Sequence, residues 1–107
     1  MFKTILEKIV TDCAGGIGAV LMGYDGIGID QYRVEEESLD LNHVGIEYSN
    51  VIKDVCSAAE ILNIGELQEV SIKTEHYHVI IHSLTDDYFV ALMVERQGNY
   101  GQGRYLL

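Results

Sequence analysis

A chain of 107 residues predicts one domain, residues 1–107, with a core large enough to stand without disulfides or a structural metal. Seventeen acidic residues against seven basic ones give a formal charge of −10. That charge repels phosphate backbones and anionic lipid, so nucleic acid and membrane surfaces are not expected as partners.

Phe2, Ile5, Leu6, Ile9, Val10 and Cys13 recur at three- and four-residue steps, which predicts a first helix with one buried stripe that Gly15 and Gly16 end. Lys3, Glu7, Lys8 and Asp12 punctuate it, unlike a signal peptide, and no apolar run is long enough to span a bilayer. Cys13 and Cys56 match no metal or redox spacing and fall in helical patterns. Free thiols in a reducing, cytosolic compartment are therefore expected.

Residues 17–24 are apolar without polar alternation, as in a strand covered on both faces. Asp25-Gly26 favours a type I′ hairpin turn, and residues 27–34, which carry Asp30, Gln31 and Arg33, return as an outer strand. Glu35, Glu36, Glu37 and Ser38 make a solvated acidic connection without the alternating ligands of a calcium loop.

Residues 40–65 read as one long helix, capped by Asp40 or Asn42 and closed by Gly65. Val44, Tyr48, Val51, Val55, Ala58, Ala59 and Leu62 share a wide apolar arc, which is expected to lie on a sheet. Beside it Gly45, Ser49, Ile52 and Cys56 follow a four, three, four spacing of smaller side chains. That register suits a second copy of the helix, hence a homodimer, or equally a covering loop of the same chain.

Residues 66–74 alternate, with Val70 and Ile72 on one face, as in an edge strand; residues 77–84 form another strand, and the apolar run 88–94 a central one. Gly98 to Gly103 loosen the chain before Arg104-Tyr105-Leu106-Leu107, the first turn of a last helix. The order predicts a mainly antiparallel sheet with helices on both sides.

The search for catalytic groups is mostly negative. There is no phosphate loop, no serine in a nucleophile elbow, no cysteine beside a histidine, and Asp86-Asp87 sits at a turn. Gly98 to Gly103, followed by Arg104 alone, is a weak anion cradle. His76, His78 and His82 share one strand face, and a His-x-His pair can chelate zinc or copper, with only His43 left as a further ligand. A half-polar strand face accounts for the same histidines, and no cofactor is expected.

Gly18-Ala19-Val20-Leu21-Met22-Gly23-Tyr24-Asp25-Gly26, the helix exit Gly65-Glu66-Leu67 and the segment from Leu84 to Leu107 resemble the Roadblock/LC7 family, and more closely its prokaryotic branch of MglB-type regulators of small GTPases. The resemblance implies an α+β, three-layer α/β/α sandwich around a five-stranded antiparallel sheet of order 2-1-5-4-3. The long helix would lie on one face and the first and last helices on the other. It also implies a homodimer through the long helix and the third strand, which gives Gly45, Ser49, Ile52, Cys56, Ala59, Val70 and Ile72 as contact residues. The chain departs from the family in ending at Leu107, so the last helix is expected to be short or truncated.

The function this implies is a non-catalytic homodimer that binds a Ras-like, MglA-type small GTPase and modulates its nucleotide cycle, with accelerated hydrolysis as one mode. An arginine finger would have to be Arg33, Arg96 or Arg104. The alternatives are a scaffold or adaptor dimer in a larger assembly and a metal- or ligand-binding sensor.

Overall fold

The computed structural model describes residues 2–34 and 40–96. Two helices and five strands follow in the order α1 (Phe2–Asp12), β1 (Gly16–Gly23), β2 (Gly28–Arg33), α2 (Leu41–Leu62), β3 (Glu69–Lys73), β4 (Tyr77–Ser83) and β5 (Tyr88–Glu95). The strands form one antiparallel sheet in the order β2-β1-β5-β4-β3. The acidic connection, the glycine-rich segment from Gly98 and the expected last helix all lie outside the described residues.

The central position of β1 and β5 follows from their composition. Along β5, Val90, Leu92 and Val94 pack with Leu6 and Val10 of α1, while Phe89, Ala91 and Met93 pack on the opposite face with Ile52 of α2. In β1, Ala19 and Leu21 join the first core and Val20 and Met22 the second. A strand that feeds two cores has no face left for polar residues. β3, which among the described strands pairs with β4, keeps Ser71 and Lys73 exposed and turns Val70 and Ile72 toward the α2-side core.

The first helix buries a narrower stripe than its periodicity suggests. Leu6, Val10 and Cys13 are buried, but Phe2 and Ile5 are exposed. The β1–β2 turn also differs from the expected type I′. That turn requires positive φ at both central residues, and only Gly26 has it (φ +87). Gly26 N–H donates to Gly23 O at 2.9 Å and Gly23 N–H to Ile27 O at 2.9 Å, closing a three-residue loop. Asp25 supports it by accepting from Ile27 N–H at 3.0 Å.

Asp40 caps α2, its carboxylate accepting from His43 N–H at 3.2 Å. At the other end Asn63, not Gly65, takes the left-handed cap position (φ 55), and its N–H returns to Ala59 and Glu60 carbonyls. Asp40→Ala removes an acceptor from an otherwise orphaned amide and should cost about 1 kcal/mol. In a domain of this size that lowers Tm by roughly 4–8 °C, readable by circular dichroism; an unchanged melt would mean the cap contributes nothing.

No helix among the described residues is long and apolar enough to cross a membrane.

Candidate functional site

Helix α2 lies over β1 and β2, and the side it presents to them is the stripe of smaller residues. Gly45, Ser49 and Ile52 are buried within one chain, and Cys56 packs half-buried against the same core. A Cβ on Gly45 would come within 2.7 Å of Met22 Cε and 2.9 Å of its sulfur, so the missing side chain lets the helix settle onto β1. Ser49 turns its hydroxyl back to Ile46 O at 2.7 Å, which satisfies it in an apolar setting.

This corrects the expected facing of the helix. The smaller residues do admit another backbone, but that backbone is β1 of the same chain. Gly45, Ser49 and Ile52 are consequently out of reach of a second chain, and Ala59, also half-buried, sits at the border of the covered stripe.

The wide arc becomes a flank instead. Val44 and Tyr48 are half-buried against the core, whereas Val51 is 46% exposed and Leu62 65% exposed, with Val55 and Ala58 between them. Their direction follows from the other flank, where Asn42 reaches Gly28 and Ser49 approaches Gly26 at the β1–β2 hairpin. Val51, Val55, Ala58 and Leu62 therefore turn away from the β1–β2 hairpin. On the α2 face of the sheet Val70, Ile72 and Tyr77 are half-buried, and β3 is the last strand in the order. The structure thus leaves the apolar helix flank at 51, 55, 58 and 62 partly exposed among the described residues, and places β3 at the margin of the sheet. Sequence reasoning had both sets of residues but assigned the flank to the sheet.

Titratable groups offer little chemistry. Burial raises the pKa values of Cys13, Cys56 and Tyr24, which leaves both thiols protonated and slow as nucleophiles at neutral pH. The Tyr24 hydroxyl lies 2.8 Å from Ser83 Oγ, and its ring packs on Phe89 with centroids 5.3 Å apart. His78 and His82 share the face of Ile80, opposite α2, since they pair across from Val94 and Val90 of the α1-side core. The Arg96 guanidinium donates to His78 Nε2 at 3.1 Å, occupying the nitrogen a metal would take. His76 is exposed, and His43 lies on α2, 3.3 Å from Glu47. Among the described residues no group of three or more His, Cys, Asp or Glu side chains could hold a metal ion. Arg33 is exposed on β2, and Arg104 lies outside the described residues.

No family model matches the chain, and no curated protein sequence does. Solved structures do. MglC from Myxococcus xanthus is 37% identical, over 99% of this chain and 89% of that one, with a TM-score of 0.70. A Roadblock/LC7 domain from Streptomyces avermitilis is 15% identical, over 97% and 86% of the two chains, with a TM-score of 0.84. The gliding protein MglB from Thermus thermophilus is 13% identical, over 96% and 77%, also at 0.84. The last two show the shared fold, and the first carries that likeness into the sequence itself across almost the entire chain: it belongs to the Roadblock/LC7 family, in its MglB-like branch.

Proposed function

We propose that the chain forms a homodimer through the α2 flank and the β3 edge, and that the dimer binds a Ras-like small GTPase and modulates its nucleotide cycle. The observation that supports the dimer is a helix flank whose apolar residues stay partly exposed among the described residues. Val51, Val55, Ala58 and Leu62 recur at four, three and four residues, the register in which helices interlock. β3, at the margin of the sheet, is the strand that a second β3 would extend. The exposed Val51 and Leu62 give the α2 flank an apolar surface that a second copy covers by twofold symmetry.

Membership of the MglB-like branch supports the GTPase as partner and a role in a gliding-type motility system. A regulator without its own reacting groups acts by holding the partner's switch loops in the arrangement that hydrolyses, or that retains, nucleotide. The engagement of Arg96 by His78 makes that residue a poor arginine finger.

The test is affinity capture on the immobilised protein from lysate of the source cells, in parallel with GDP and a non-hydrolysable GTP analogue, followed by single-turnover hydrolysis with the captured GTPase. A small GTPase held only with the analogue is the expected result. Equal recovery with both nucleotides would make the chain a scaffold dimer, and recovery of no GTPase would overturn the reading.

A further inference from the structure

A separate recess lies under the carboxy-terminal half of α2, where the helix overhangs the β4–β5 turn and the chain doubles back toward β3. It is a groove of about 890 Å³, within the size range of sites that take a ligand or a partner's side chain. Tyr24, Cys56 and Ser83 are among the residues lining it, and Glu60, Glu66 and Asp86 also line it, with Lys53 as the single basic group. None of those four charged residues makes an ion pair among the described residues. Helix α2 has no basic residue in its last turn to offset the negative end of its dipole. The field reaches the interior: burial pushes the Cys56 thiol up, a bond with Tyr24 offsets part of that, and the charges of Asp86 and Glu60 add to the rise.

The occupant this favours is cationic. Leu84, half exposed in the groove wall, gives the charge an apolar border, which a small hydrophilic amine would leave uncovered. We propose that the groove receives a lysine or arginine side chain of a partner protein, carried on a segment whose neighbouring residues are apolar. On a helix, Lys53, Ser57 and Glu60 lie on the opposite flank from Val51, Val55, Ala58 and Leu62. The helix wall of the groove therefore lies outside the α2 contact of the homodimer proposed above.

The test uses amide chemical shifts of the labelled full chain, titrated with acetyl-Leu-Lys-Leu-amide, the acidic counterpart acetyl-Leu-Glu-Leu-amide, and n-butylamine. The lysine peptide is expected to shift the Ser57, Gly65 and Thr85 amides saturably, and the acidic peptide to leave them in place. The double substitution Glu66→Gln with Asp86→Asn, both exposed, should weaken the lysine peptide roughly three- to tenfold, the size expected from removing two partly solvated charges. Added salt should weaken it too. Equal binding of the acidic peptide, undiminished binding to the double variant, n-butylamine matching the peptide, or no saturable shift at these amides would each overturn the proposal. Sedimentation of the same samples reads the dimer separately, so failure here leaves that reading standing and the reverse.

Discussion

Ile52→Glu should abolish the cooperative fold of the isolated chain. Ile52 is 0% exposed and belongs to the α2-side core with Met22, Val79, Ile81 and Phe89. A carboxylate at that position has no hydrogen-bond donor in an otherwise apolar cluster, so it must either stay charged without solvent or take up a proton. Both alternatives add to the loss of packing, and a cost of about 4 kcal/mol or more is expected. Against a typical stability of about 5–15 kcal/mol, that lowers Tm by about 15 °C at least or leaves no transition. Ile52→Val is the control: it removes one methylene, costs about 1 kcal/mol, and keeps the cooperative melt. A folded, monomeric Ile52→Glu protein would instead return this residue to an intermolecular contact.

The fate of Ile52 shows what periodicity resolves and what it does not. The pattern in α2 identifies two apolar stripes and where each begins and ends, because side-chain direction repeats every 3.6 residues. It contains nothing that says which stripe meets the sheet. Area alone favours the stripe with Val51, Val55 and Leu62, since larger side chains bury more apolar surface. Closeness of approach decides otherwise: Gly45 above Met22 lets the helix sit low on β1, where dispersion contacts are dense. That depends on the side chain opposite, which lies more than twenty residues earlier and is not paired with Gly45 by any local rule.

Strand order was more legible. Uninterrupted apolar runs in β1 and β5 can exist only where both faces are covered, and the alternation of β3 only where one is. The Asp25-Gly26 turn was half legible, since the dipeptide marks the reversal but the number of loop residues is set by the β1–β2 register around it, which shifts between Leu21 and Met22. The groove under α2 had no sequence signal at all. Glu60, Glu66 and Asp86 are separated by up to 26 residues in the chain (86 − 60 = 26) and meet only because the helix overhangs the end of the sheet.

Val51→Glu with Leu62→Glu should leave the chain folded and separate the dimer. Both residues are exposed in one chain, so the substitutions bury no charge in the monomer, and far-ultraviolet dichroism and Tm should change little. In a twofold contact each substitution acts twice, placing four carboxylates in the interface where apolar flanks had met. Truncating or charging central apolar contacts costs about 2 kcal/mol or more apiece, so the dimer dissociation constant should rise by at least about a hundredfold, measured by sedimentation equilibrium. Salt supplies an internal check on the wild-type protein. Two chains of formal charge −10 repel each other on association, so screening should tighten the dimer, whereas it should loosen a basic side chain in the groove. A double variant that remains dimeric at wild-type affinity would remove the α2 flank from the interface. A folded monomer that no longer captures GTPase would show that the partner reads a surface assembled from two chains, and a monomer that still captures it would place that surface within one.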